Sequence, residues 1–195
     1  DLLSALITDT EAGAWTEEEL RAVGFTLLAA AHDATATMLN GIMEWLSYEP
    51  ELYQRLRTDE EAFPRALEEM FRVITVGIGI PRGRIALEDV WLGDVLIKEG
   101  DAIGGNLLAA HGDPEAYPNP LELDIDRESP LPHMAFGFGQ HACAGASLAR
   151  MEIAAVLKSV LARYSTFENV EPYEGWRSRR LLKGPKELVI KWTRD

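Results

Sequence analysis

Cysteine is nearly absent: Cys143 is the only one in 195 residues, so no disulfide can close within the chain. Basic residues are scarce too, with 19 Lys and Arg against 32 Asp and Glu, a formal charge of -13 and a pI near 4.8. That is the wrong sign for neutralising phosphates, and nucleic acid is not an expected partner. No uninterrupted apolar run approaches the roughly 18 residues of a membrane span, so no membrane partner is expected. The chain opens Asp1-Leu2-Leu3, without an initiator Met or the basic and apolar regions of a secretory signal. It reads as a piece of a longer cytoplasmic protein. Gly-x-Gly-x-x-Gly turns, phosphate loops, repeats and low-complexity tracts are missing, so no flavin or nicotinamide is expected to be held here.

The composition that remains is 47% hydrophobic and 26% charged, which predicts an ordinary globular core. Residues 1–72 hold fifteen acids and five bases, whereas residues 171–195 hold four acids and seven bases. The basic end reads as solvated surface.

Thr16-Glu17-Glu18-Glu19 is a capping box, and nothing breaks the following helix until Pro50. A helix of some 30 residues is predicted, apolar on nearly every side from Phe25 to Ala31, and expected to cross the core. Shorter helices are predicted over 50–57 and from Ala62 to Val73, the latter with Ala66, Leu67, Met70 and Phe71 inward. Gly-rich, irregular chain follows at 77–84. A small hairpin-rich sheet is predicted from strands near Ile85–Leu87, Trp91–Leu92, Val95–Ile97 and Ala102–Ile103, with Gly93-Asp94 and Glu99-Gly100 at turns. Residues 111–132 carry five prolines and little periodicity, the mark of a surface meander held by side chains more than by a backbone ladder. A second long helix, roughly 144–164, and a last strand over Lys186–Trp192 complete the chain.

Chemistry concentrates in Phe136-Gly137-Phe138-Gly139-Gln140-His141-Ala142-Cys143-Ala144-Gly145. A lone Cys by itself reads as a small buried hydrophobe. Here it precedes a helix start, where free N–H groups favour a thiolate over a thiol and make it an anionic ligand or nucleophile. Gly137 and Gly139 permit a tight bulged loop, and Ala144, Gly145 and Ala146 leave the helix start nearly bare, so a flat ligand can lie against it.

This spacing resembles the haem-binding loop of the cytochrome P450 family, the haem-thiolate monooxygenases. Glu69-Met70-Phe71-Arg72 resembles the family's Glu-x-x-Arg motif, and Asp124-Ile125-Asp126-Arg127 supplies the arginine that completes the pair. The resemblance implies a structural role for Glu69, Arg72 and Arg127. It implies haem b with Cys143 as axial thiolate and sole protein ligand to iron, Arg84 and His141 toward the propionates, and Phe136, Gly137 and Gly145 against the proximal face. His133 is assigned no direct contact.

Ala30-Ala31-His32-Asp33-Ala34-Thr35 falls where the family typically has Ala-Gly-x-Asp/Glu-Thr-Thr. Ala30 and Ala31 are then small residues close to the porphyrin, and Asp33 is the acid of a proton-delivering acid-alcohol pair. Ala34 stands in the place of the alcohol. Thr35 does not simply replace it, because neighbouring helix residues point about 100° apart. A substrate hydroxyl or ordered water, another side chain, or loosely coupled oxygen activation are the alternatives, with substrate or water assistance favoured. His32 reads as a packed or solvent-edge histidine.

The implied fold is mainly α with small β-sheets, an α+β class: the C-terminal, haem-binding part of a single cytochrome P450 domain. Within 1–195, residues 1–75 give the distal long helix and the Glu-x-x-Arg helix, and 76–110 the small sheet region. Residues 111–135 give the meander, 136–165 the Cys loop and proximal helix, and 166–195 the C-terminal strands. The implied activity is insertion of one oxygen atom from O2 into a small organic substrate, with electrons from a ferredoxin or flavoprotein reductase docking near Arg150 and Lys158. Ile78 and Gly79 are candidate substrate contacts. The other readings are a peroxide-using or oxidative-coupling enzyme and a non-catalytic haem-binding remnant. A cysteine hydrolase using Cys143 and His141 lacks an oriented base and oxyanion arrangement. Because the resemblance covers only half of a usual family chain, the 195 residues alone are expected to bind haem poorly and not to turn over. Stoichiometric, thiolate-ligated haem on the isolated chain, read by optical titration, would contradict this.

Overall fold

A short helix not announced by sequence periodicity, α1 (Leu2–Glu11), leads to Thr16 and the longest element, α2 (Glu17–Tyr48). The computed structural model describes residues 2–77, 83–127, 132–170, 176–178, 183–185 and 187–194. At the start of α2 the Glu19 N–H donates to Thr16 Oγ1 at 3.2 Å, and the Thr16 N–H donates to Glu19 Oε2 at 2.8 Å. The capping box is therefore closed in both directions. The helix runs 32 residues and stops just before Pro50, which opens α3 (Pro50–Thr58) at a position where a missing N–H costs nothing. Asp59 Oδ1 then accepts the N–H groups of Glu61 and Ala62, both at 3.1 Å, and α4 (Ala62–Ile74) follows. Ala66, Leu67, Met70 and Phe71 all lie inward on α4.

Next come β1 (Arg84–Ile85), β2 (Val90–Leu92), β3 (Val95–Ile97) and β4 (Ala102–Ile103). They do not form one sheet. β2 and β3 pair as a hairpin whose turn residue Gly93 sits at φ 61°, and β1 pairs antiparallel with β4 outside it. Leu87, expected to extend the first strand, lies beyond β1 and is exposed. α5 (Leu107–His111) is capped by Asn106, whose Oδ1 accepts the Ala109 N–H at 3.1 Å. After the meander, a single 3-10 turn at Gly139–His141 precedes α6 (Ala146–Arg163). The chain ends in β5 (Tyr164–Asn169), β6 (Trp176–Ser178), β7 (Lys183–Pro185) and β8 (Ile190–Arg194). β5 pairs with β8 and β6 with β7, both antiparallel. The last strand thus starts at Ile190, later than its alternating pattern suggests, and the candidate substrate contacts Ile78 and Gly79 lie outside the described residues.

The core lies between the C-terminal half of α2 and α3, α4, α6 and β5. Two polar clasps tie its rim: Tyr53 Oη donates to the Tyr164 carbonyl at 2.8 Å, and Arg57 Nε donates to the Leu161 carbonyl at 2.9 Å. The second satisfies an otherwise orphaned carbonyl in the last turn of α6.

α2 does not cross this core along its whole length. Met38, Ile42 and Leu46 are buried, but Phe25 and Leu28 are 73% and 72% exposed. The apolar N-terminal half extends past the core, and most of its residues are exposed. By length and composition alone, α2 is apolar enough to cross a membrane, with a mean hydropathy of 1.2 over its best 18-residue window. Of that window 6% is buried, while Ile42 and Leu46 further along the helix sit in the protein core.

β7 meets α2 closely at Gly184, where an added Cβ would fall 2.3 Å from Thr37 Cγ2. Gly184→Ala is therefore expected to destabilise the fold by about 1–3 kcal/mol, as overpacking does. Urea unfolding checks this; an unchanged midpoint would show that β7 moves away freely.

Candidate functional site

Glu69 and Arg72 are three residues apart on α4, so they share one helical face. Arg72, 2% exposed, donates from Nε to Glu69 Oε2 at 2.8 Å and from Nη2 to Glu69 Oε1 at 2.7 Å. Its remaining N–H groups reach into the meander: Nη1 to the carbonyls of His111 at 2.9 Å and Pro120 at 2.7 Å, Nη2 to that of Glu122 at 3.0 Å. Arg127 joins the same carboxylate, its Nη2 3.2 Å from Glu69 Oε1, and also donates to the carbonyls of Pro118 and Glu122. The Asp124 N–H adds a bond to Glu69 Oε1 at 3.2 Å. Burial raises the Glu69 pKa, but the bonds and charges of Arg72 and Arg127 outweigh it and hold the carboxyl below its ordinary value.

The neighbouring Glu68 forms a second clasp. It accepts a bidentate pair from Arg150 on α6, Nε to Oε1 at 2.7 Å and Nη2 to Oε2 at 2.8 Å. His133 Nδ1 accepts the Ala135 N–H at 3.1 Å, so Nε2 carries the proton and donates to Glu68 Oε2 at 2.9 Å. Partial burial raises the Glu68 pKa, yet the bonds from Arg150 and His133 prevail and bring it down to about 2. The Arg150 guanidinium lies 4.4 Å over the Phe136 ring, which packs edge-on to Phe71 at 5.0 Å. Arg150 is thus bound within the chain while its side chain stays 36% exposed, and the exposed Lys158 has its Nζ 5.1 Å from the Phe63 ring. His133, assigned no direct contact from sequence, joins α4 to the Cys loop.

His111 was not singled out by sequence. It is buried at 4% exposure between α4 and the start of the Cys loop. The Met134 N–H donates to its Nε2 at 2.8 Å, and its Nδ1 lies 2.6 Å from Thr75 Oγ1. Burial first, then the charges of His133 and Arg72, push its pKa down to about 4.

The loop itself turns back at Phe136, whose carbonyl accepts the Cys143 N–H at 2.7 Å, while the Gly137 N–H donates to the Met134 carbonyl at 2.8 Å. Gly137 and Gly139 both sit at φ 74°, a left-handed conformation that side chains resist. Cys143 is exposed, three residues before α6, and Phe138, in the same loop, is 82% exposed. Phe136 and Gly137 are half-buried; His141 and Gly145 are exposed. Arg84 is exposed at the first position of β1. On α2, Ala30 and Ala31 are exposed, while Asp33, Ala34 and Thr35 are half-buried.

Among the described residues no three His, Cys, Asp or Glu side chains cluster as a metal site. A metal at Cys143 would take its other ligands from outside this set, as the nitrogens of a porphyrin would supply them. An exposed sulfur in a glycine-turned loop that also exposes an aromatic ring fits such a group.

The family model of cytochrome P450 matches residues 1–192. This chain belongs to the cytochrome P450 family. It is 39% identical over 194 residues to nocardicin C N-oxygenase of Nocardia uniformis subsp. tsuyamanensis, covering 98% of this chain and 48% of that one. To mycinamicin IV hydroxylase/epoxidase of Micromonospora griseorubida it is 34% identical, covering 98% and 49%. Among solved structures, CYP105N1 from Streptomyces coelicolor A3(2) superposes with a TM-score of 0.91 at 31% identity, covering 100% of this chain and 49% of that one. The cytochrome P450 chain described here is helix-rich with small sheets and spans about half the length of these relatives.

Glu69→Gln leaves Arg72 and Arg127 buried without their carboxylate and is expected to cost about 3–5 kcal/mol in urea unfolding. A loss under about 1 kcal/mol would mean that the meander carbonyls suffice for both guanidiniums. Acid should weaken the fold in two stages. The His111 pKa is depressed, so its contribution is complete above 6.5 and is lost as pH falls to about 4. That of Glu68 is complete above 4.5 and is lost as pH falls to about 2. Urea midpoints that stay flat from pH 6.5 to 4 would contradict the first stage.

Proposed function

We propose that these residues form the C-terminal haem-binding part of a bacterial, cytoplasmic haem-thiolate monooxygenase. It inserts one oxygen atom from O2 into a small organic substrate of secondary metabolism or catabolism. The observation that carries this reading is the exposed Cys143 in a glycine-turned loop, tied by Glu68, Arg150 and Phe136 to the Glu-x-x-Arg helix. The relatives named for N-oxygenation and for hydroxylation and epoxidation point to the same reaction class.

Haem held by Cys143 would supply reductive activation of O2, with the thiolate favouring cleavage of the O–O bond. The chain's own residues bind and orient that group. Cys143 presents its sulfur from the loop, with Phe136, Gly137 and Gly145 flanking it. Arg84 and His141 would donate to propionate oxygens. Ala30 and Ala31 allow α2 to come close on the distal side, and Asp33 holds the proton for delivery there. Ala34 has no hydroxyl to pass it on, so a substrate hydroxyl or an ordered water completes the route. Electrons come from a ferredoxin or flavoprotein reductase. Ala34 also favours a second reading, direct use of peroxide or oxidative coupling, which activity with peroxide and no reductase would identify.

The test is the optical spectrum of the dithionite-reduced, CO-bound full-length protein beside that of Cys143→Ser. A strongly red-shifted Soret band present in the parent and lost in the variant is expected; its absence from the parent would overturn the proposal. Ala34→Thr is expected to change the ratio of product formed to NAD(P)H consumed, since a general acid-base step is worth about 10²- to 10⁴-fold. An unchanged ratio would show that residue 34 takes no part in proton delivery.

A further inference from the structure

We propose that His111 is a positioning residue for the Cys143 loop, holding the loop's entry at Met134 to the end of α4 as a neutral imidazole protonated on Nδ1. The protons along this path are fixed from both ends. At one end the Met134 peptide N–H can only donate, so His111 Nε2, 2.8 Å away, must carry a lone pair. At the other end the Arg72 carbonyl can only accept, so the Thr75 hydroxyl, 2.5 Å from it, must donate there. Thr75 Oγ1 then accepts from His111 Nδ1–H at 2.6 Å. A ring protonated on both nitrogens has no lone pair for Met134.

The path is continuous with both the ion cluster and the loop. Arg72 Nη1 donates to the His111 carbonyl at 2.9 Å, so Arg72 engages residue 111 through its side chain while its own carbonyl ends the hydrogen-bonded path. Beyond Met134, the Gly137 N–H bonds the Met134 carbonyl and the Cys143 N–H bonds the Phe136 carbonyl. Thr75 is buried at 1% exposure with φ at 20°, a backbone setting that β-branched residues avoid and that its two side-chain bonds help to hold. Tyr117 and His133 pack edge-on to the imidazole at 6.2 and 6.1 Å, and Arg72 and Glu69 are its charged neighbours. The consequence for haem rests on the proposed function; the clamp itself does not.

Two substitutions separate the ring's two jobs. His111→Gln keeps an acceptor near the Nε2 position, whereas His111→Asn keeps a donor near Nδ1 and loses the acceptor. Hydrogen exchange at the Met134 amide is expected to be about tenfold faster in His111→Asn than in the parent, with His111→Gln close to the parent. In the haem-loaded, reduced, CO-bound full-length protein, the red-shifted thiolate band is expected to give way in part in His111→Asn and to be retained in His111→Gln. Equal exchange at Met134 in all three proteins would overturn the clamp. Should the parent lack the thiolate band, the proposed function fails while the exchange rates still decide the clamp. The unsubstituted protein provides a further readout, the ¹⁵N shifts of the His111 ring near neutral pH. An Nδ1-protonated tautomer is expected, and an Nε2-protonated or doubly protonated ring would overturn the assignment.

Discussion

A guanidinium sealed inside the fold fixes the arrangement of everything that follows it in the chain. Arg72 and Arg127 bring two positive charges to one carboxylate, Glu69, so the pairing alone leaves an excess of charge in a buried place. The backbone carbonyls of His111, Pro118, Pro120 and Glu122 make up the difference with the negative ends of their dipoles. This also solves the problem of the meander. A proline-rich segment cannot build a hydrogen-bonded ladder, yet its carbonyls still need donors, and two arginine side chains provide them.

From that cluster the constraint passes to the sulfur through contacts on adjacent residues of α4. Glu68 holds Arg150 and His133, and Arg150 lies on Phe136. The Arg72 carbonyl, Thr75 and His111 hold Met134. The loop is therefore fixed from both sides of one helix, by a charged clasp near its apolar ring and a neutral one at its entry.

Local chemistry was readable wherever its partners were close in sequence. Thr16 and Glu19 marked the start of α2, Gly93 marked the β2–β3 turn, and the spacing of Glu69 and Arg72 marked one helical face. The glycines around Cys143 were legible because a left-handed turn needs them. His111 was not legible, since its partners lie at residues 75 and 134 and nothing adjacent to it hints at either. His133 was passed over, and the bond of Arg150 to Glu68 was not foreseen, for the same reason: Glu68 is 65 and 82 residues away from them. The apolar stretch Phe25 to Ala31 suggested burial, whereas Phe25, Leu28, Ala30 and Ala31 are exposed.

That uncovered half of α2, carrying Ala30, Ala31 and Asp33, belongs to a chain spanning about half the length of its cytochrome P450 relatives. The scaffold around Glu69 is complete within the described residues, while the proposed cofactor would lie between α2 and the loop it supports. X-ray absorption at the iron edge of the haem-loaded ferric full-length protein tests that account most directly. One sulfur among the iron's nearest neighbours, lost in Cys143→Ser, is the predicted result. An iron surrounded only by nitrogen and oxygen in the parent would contradict it.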